Sequence, residues 1–164
     1  MNDLDLPRLL DDLAAAGLTL AVAESLTAGA VTSRIAEVPG ASRVLIGGVS
    51  AYATRIKHEV LGVDAERLAE KGPVDALVAR QMASGVRALL RADIGLSTTG
   101  VAGPGPQDGH PAGEVHIACV WREGALHREL RLDGPRGEVR AQAVHSVLAL
   151  VRDALDSGRI PPSG

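Results

Sequence analysis

The hydrophobic positions follow first a helical spacing and then a strand-like run, and they repeat that change along most of the chain. Leu6, Leu9, Leu10 and Leu13 recur at helical spacing, and Gly17 ends that helix. The unbroken apolar run Leu18 to Val22 reads as a strand buried on both faces. A polar turn follows, Ala23-Glu24-Ser25-Leu26-Thr27-Ala28-Gly29, and a helical pattern leaves it from about Thr27 to Glu37. Val38-Pro39-Gly40 stops that helix, and Val44 to Tyr52 reads as a second strand.

Short helices are expected over Thr54 to Leu61 and, capped by Asp64, through Lys71. Gly72-Pro73 interrupts, and Asp75 caps a long helix to about Arg91 with Leu77, Val78, Met82, Val86 and Leu89 as its stripe. Ile94 to Thr98 is a third strand, and the stretch from Gly100 to Gly109 is too rich in Gly and Pro for regular structure. Val115 to Trp121 is a fourth strand, turned at Arg122-Glu123-Gly124. The next strand alternates Leu126, Leu130 and Leu132 with His127, Glu129 and Arg131, as a half-exposed antiparallel strand does. A last helix spans about Arg136 to Asp156. Strands and helices in this order, closed by one hairpin, predict an α/β fold: a three-layer α/β/α domain with a mixed, mostly parallel sheet. One domain is expected over residues 1–158, followed by a loose tail, 159–164.

Composition narrows the class. The core must be built from Leu, Val, Ile and Ala, because Tyr52 and Trp121 are the only aromatics. The net charge of −3 argues against a general nucleic-acid binder. Cys119 stands alone, which excludes a disulfide framework, and its place in an apolar strand suits an inert core thiol. No window approaches a membrane span, and Asp3, Asp5, Asp11 and Asp12 make the start unlike a signal peptide. A cytoplasmic protein without membrane association is the plain expectation.

The candidate chemistry gathers at strand ends. Ser25 is open to two readings, a helix cap or a nucleophile, and Thr27 suffices as the cap. A nucleophilic serine needs a base, and the helix start after it offers N–H donors for an oxyanion. Lys57 is a candidate base, for the chain has two lysines against fifteen arginines and arginine does not deprotonate. It lies five residues after Tyr52. A solvated Lys57 is the other reading. Thr99 falls at the same carboxyl edge as Ser25 if the sheet is parallel there. The loop carrying Gly100 and Gly103 is either a surface connector or a backbone cradle for an anion, and Arg136 and Arg140 lie one turn apart on the last helix. The histidines at 58, 110, 116, 127 and 145 are scattered; His116 and His127 are expected to face solvent, and a metal held by His58, Asp108 and His110 is the weaker reading.

Taken in order, Ala23-Glu24-Ser25-x-Thr27-x-Gly29, Val38-Pro39-Gly40-Ala41-Ser42, Tyr52-x-x-x-x-Lys57, Leu61-Gly62-Val63, Thr99-Gly100-Val101-Ala102-Gly103-Pro104, Gly113-x-Val115 and Arg136-x-x-Val139-Arg140 form a set. The set resembles the C-terminal domain of the CinA competence/damage-inducible family, whose stand-alone members are nicotinamide-nucleotide amidases, over about residues 5–155. The resemblance implies hydrolysis of the carboxamide of nicotinamide mononucleotide to nicotinate mononucleotide and ammonia, without metal or cofactor. It implies Ser25 as nucleophile, Lys57 as base and Tyr52 as a partner in proton transfer or positioning. Thr99 would lie beside the amide, and Arg140 with the glycine-rich loop would hold the phosphate. With Thr27, Gly29, Gly100 and Gly103 these form the expected substrate site, in a homo-oligomer. The sequence departs from the family pattern at Ala28, where glycine is usual, at Thr54 and at Pro135. The domain that precedes this one in longer family members is not part of the sequence.

Overall fold

A computed structural model describes residues 4–162. Residues 1–3 and 163–164, the outer ends of the expected domain and tail, lie outside the described residues. The strands are β1 (Leu20–Glu24), β2 (Leu45–Ser50), β3 (Ile94–Gly100), β4 (Glu114–Val120) and β5 (Ala125–Arg131). They form one sheet in the order β2-β1-β3-β4-β5. β1 pairs in parallel with β2 and β3, whereas β4 is antiparallel to both β3 and β5. The helices are α1 (Leu6–Ala15), α2 (Ala30–Ala36), α3 (Thr54–Glu59), α4 (Ala65–Lys71), α5 (Ala76–Leu90) and α6 (Arg136–Asp156). The α/β/α fold with a mixed sheet and the element order hold, although two of the four strand pairings are parallel rather than most, and strand and helix ends shift by a few residues. The first strand begins two residues later than expected and includes Glu24, and α2 starts only at Ala30.

The sheet's two faces differ in side-chain size. Leu20 and Val22 of β1, Ile94 and Leu96 of β3, and Val115, Ile117 and Cys119 of β4 point into the larger core, which α1, α2 and α6 cover. The opposite face carries Ala21, Ala23, Gly95, Ser97 and Ala118, small groups that let α5 come close. A Cβ added at Gly95 would sit 2.0 Å from the carbonyl oxygen of Ala83 on α5. The Ser97 hydroxyl donates to the Ala79 carbonyl at 2.6 Å. Close packing of this kind replaces the bulk that aromatic residues supply elsewhere.

Two expectations change. Ile160, read as part of a loose tail, is buried in the larger core beside Leu18 and Trp121. His116, expected to face solvent, is buried; its ring stacks on that of His127 with centroids 5.2 Å apart. His116 has left solvent because the Glu114 carboxylate gathers His110 at 2.8 Å, His116 at 3.4 Å and Arg131 at 2.6 Å at the start of β4. Burial works to raise the carboxyl pKa of Glu114, but the bonds from His110, Arg131 and His116 hold it below its ordinary value.

Candidate active site

β1 and β3 run side by side, so their carboxyl ends meet at one edge of the sheet, the edge where α/β folds place ligands. Ser25 follows β1 directly, and its N–H donates to the Thr98 carbonyl, extending the ladder by one step. The chain then turns through Leu26, Thr27 and Ala28, with the Ala28 N–H closing back on the Ser25 carbonyl at 3.1 Å. Ala28 has φ +50°, a left-handed conformation that costs a residue with a Cβ about 1 kcal/mol or more. Gly29 follows at φ +96° without that penalty.

Neither Ser25 nor Thr27 caps α2. The Thr27 hydroxyl is buried against that of Thr98 at 2.7 Å. Glu24 does the capping. Its buried carboxylate accepts from the N–H groups of Gly29 and Val31 at 3.0 Å and Thr32 at 2.9 Å, and from the Thr32 hydroxyl at 2.8 Å. A carboxylate suits this place because it meets both the open N–H donors and the positive end of the helix. The α2 donors expected to face an oxyanion are therefore already taken. Leu26, beside Ser25, lines the cleft, and its N–H has no protein acceptor among the described residues.

Lys57 reaches the same point from the other side. α3 begins four residues after β2 and turns its inner face onto the sheet edge, which buries Lys57 to 1% exposure. Its Nζ stands 2.9 Å from the Ser25 Oγ, 2.7 Å from the Ala51 carbonyl and 3.4 Å from the Tyr52 carbonyl. Among the described residues no carboxylate pairs with it, and desolvation lowers the amine pKa from 10.5 to about 8. A neutral Lys57 has two N–H groups and one lone pair. With the N–H groups on the two carbonyls, the lone pair points at the serine hydroxyl. The solvated reading of Lys57 is thereby excluded.

The surrounding cleft is lined by Ser25, Leu26, Tyr52, Lys57, Thr99 and Gly100, with Pro73, Val74, Gln107, Asp108 and Arg136 at its walls and mouth. Its cavity volume is about 80 Å³, and it is open to solvent. The Thr99 hydroxyl donates to the Pro73 carbonyl at 2.7 Å, fixing the turn before α5 against β3. Tyr52 is 59% exposed, and its hydroxyl accepts from Arg136 Nη2 at 3.1 Å while Arg136 Nη1 donates to the Gly103 carbonyl at 3.0 Å.

The remaining sequence candidates lie outside the cleft lining. Thr27 and Gly29 are held behind Ser25 by Thr98 and Glu24. Gly103 presents its carbonyl to Arg136. Arg140 donates from Nε to the Leu26 carbonyl and from Nη2 to the Thr27 carbonyl, both at 2.9 Å. Two further features of the site are not read from the sequence motifs. Glu24 lies in β1, six residues before α2 begins, and the residues just before that helix, Ala28 and Gly29, offer no capping side chain. Pro73 and Val74 enter only through the fold. Among the described residues no group of three or more His, Cys, Asp or Glu is placed to hold a metal ion. His58 meets the Val63 carbonyl at 2.7 Å and His110 meets Glu114. Burial pushes the Cys119 thiol up to about 12, as suits a core group. No described helix is long and apolar enough to cross a membrane.

Comparison with known proteins gives a consistent result. The family model for the CinA C-terminal domain matches residues 6–155. A CinA-like protein of Frankia casuarinae is 49% identical over 137 residues, 84% of this chain and 32% of the relative. A CinA-like protein of Synechococcus is 44% identical over 147 residues, 88% of this chain and 35% of the relative. The chain thus spans about a third of the length of these curated relatives. Among solved structures, a competence-damaged protein (CinA) superfamily member from Klebsiella pneumoniae superposes with a TM-score of 0.89 at 32% identity, covering 93% of this chain and 96% of that one. The competence/damage inducible protein CihA from Agrobacterium tumefaciens superposes with a TM-score of 0.86 at 34% identity, covering 93% and 97%.

Proposed function

The chain belongs to the CinA family through its C-terminal domain, and from that membership and the site geometry we propose that it hydrolyses the carboxamide of nicotinamide mononucleotide to nicotinate mononucleotide and ammonia. The observation that carries the reading is the buried, carboxylate-free Lys57 amine 2.9 Å from the Ser25 hydroxyl, with its pKa brought to about 8. A lysine of that kind is a general base at neutral to mildly alkaline pH.

In the proposed reaction the Ser25 Oγ attacks the carboxamide carbon while its proton passes to Lys57 Nζ. The oxyanion that forms takes the Leu26 N–H. As the C–N bond breaks, Lys57 returns the proton to the leaving nitrogen, and ammonia departs from a serine ester. Water then attacks the ester carbon, giving a proton to Lys57. The C–O bond to Ser25 breaks, the serine regains its proton, and the carboxylate product leaves. Splitting the reaction in two and placing a donor at the developing charge addresses the two difficulties of amide hydrolysis, a poor leaving group and an unstable oxyanion.

Thr99 and residues 100–102 form the wall against which the amide and its ring would lie, and Tyr52 with Arg136 forms the mouth where the ribose phosphate would emerge. The direct test is ammonia release from the mononucleotide by purified protein. Turnover is expected, and none above blank from a folded sample would overturn the reading. The alternative substrate class is another small amide, which the same Ser25–Lys57 pair would serve. A panel of aliphatic and aromatic carboxamides separates the two: the proposal expects the nucleotide to have the highest kcat/KM.

A further inference from the structure

We propose that Arg140 is a positioning residue for the nucleophile, acting through the backbone of the Ser25 turn, and that Ala28 is the strained residue it restrains. The proposal rests on the reading of Ser25 as nucleophile. The geometry separates it from the role expected of Arg140 as a ligand of the substrate's anion.

The guanidinium spans two successive carbonyls, Leu26 by Nε and Thr27 by Nη2, each at 2.9 Å. A guanidinium is a rigid planar fork, so two bonds to neighbouring peptide units fix both planes at once. Each plane carries the N–H of the next residue, because the peptide is planar and trans. Fixing the Thr27 carbonyl therefore also fixes the Ala28 N–H, which closes the turn on the Ser25 carbonyl at 3.1 Å. The residue between this clamp and Gly29 is Ala28 at φ +50°. Alanine resists that conformation, and it persists only where the surroundings over-determine it.

The other holders of the turn stand on either side of this point. The Ser25 N–H is on Thr98, the Thr27 hydroxyl on the Thr98 hydroxyl, and the Gly29 N–H on Glu24. The Ala30 N–H also meets the Thr27 carbonyl, at 3.0 Å, but among the described residues only Arg140 holds the Leu26 carbonyl and only Arg140 joins the two peptide planes. The molecule thus fixes nucleophile and base from opposite layers: Ser25 from α6 through Arg140, and Lys57 from α3. An anion at Arg140 would have to displace two backbone carbonyls and reach a side chain that does not line the cleft. Arg136, exposed at the cleft mouth, is the better placed cation for that task.

The experiment uses the full chain and its R140K and R140Q variants, each also in an A28G background, with melting temperatures as the folding control. Steady-state kinetics are read on nicotinamide mononucleotide and on the phosphate-free riboside. Labelling of Ser25 by phenylmethanesulfonyl fluoride is followed by mass spectrometry. Loss of the fork should lower kcat about 10²-fold on both substrates, with KM changed less than about threefold, and slow labelling to a similar degree. In the A28G background the same replacements should lower kcat only about tenfold, since glycine holds the left-handed conformation unaided. A rise in KM for the nucleotide with the riboside unaffected would overturn the proposal and make Arg140 an anion ligand. An equal loss in both backgrounds would overturn the pairing with Ala28. If the wild type turns over neither substrate, the labelling arm decides alone. Slower labelling of R140K then supports the proposal, and unchanged labelling sinks it.

Discussion

At the level of single residues, the chemistry depends on where Lys57 keeps its proton. Its pKa of about 8 places the base form in the minority at pH 7. The value of kcat/KM for amide hydrolysis is therefore expected to rise with pH and level off above about 8. Lys57→Arg, which stays protonated, should lose about 10²–10⁴-fold at every pH, the contribution typical of a general base. Stability follows the same group with a worked sign. The folded-state pKa is lowered, so between about 8 and 10.5 the unfolded chain binds more protons than the folded one. Wild type should thus gain stability relative to Lys57→Met as pH rises through that window, whatever the offset at neutral pH. Urea unfolding of both at a series of pH values reads the difference. Ala28 provides a second residue-level prediction. Relieving its φ of +50° by Ala28→Gly should stabilise the fold by about 0.5–1 kcal/mol, the backbone strain outweighing the extra freedom of the unfolded glycine. An unchanged or lowered unfolding midpoint would contradict that. Ser25 and Lys57 were both legible as candidates and the family resemblance paired them, but their spacing did not: a separation of 32 residues says nothing of 2.9 Å until β2 and α3 are folded back over β1.

The elements show why some of the chain reads easily and some does not. Large and small residues alternate along Leu20-Ala21-Val22-Ala23 and Ile94-Gly95-Leu96-Ser97, and each set meets a different helical layer. The runs were legible as buried strands, yet size, not polarity, distinguishes the faces, so the approach of α5 to the small face was hidden from a reading by polarity. Gly95 tests that packing. Gly95→Ala places a methyl 2.0 Å from the Ala83 carbonyl oxygen, a clash with backbone that no rotamer relieves. It should cost about 3 kcal/mol, at the upper end of ordinary overpacking, measured by denaturant unfolding. The helix starts divide in the same way. Asp64 and Asp75 were legible caps, and both accept first-turn N–H bonds. For α2 the cap is a carboxylate that lies within a strand and reaches over a turn, which the local rule of a side chain just before the helix does not describe.

On the scale of the whole molecule, the two edges of the parallel strands have separate tasks. The carboxyl edge of β1 and β3 carries Ser25, Thr99 and, from α3, Lys57. The opposite edge is closed for stability. Thr19 and Asp93 exchange hydrogen bonds there, with the Thr19 hydroxyl donating to the Asp93 carboxylate at 2.6 Å and the Asp93 N–H donating to that hydroxyl at 3.1 Å. Trp121 and Ile160 seal the same end beside Leu18. The composition of the last residues, with two prolines and a glycine, reads as a tail, and only the path of α6 along the sheet brings Ile160 back to the core. If the edges are independent in this way, Ile160→Ala should lower stability by about 2–4 kcal/mol, the cost of a buried side chain cut back to a methyl. It should leave kcat/KM within about twofold at temperatures well below the new midpoint, because perturbations at distant sites without shared partners add independently. A loss of activity larger than the loss of folded fraction would show that the amino edge also shapes the Ser25 turn.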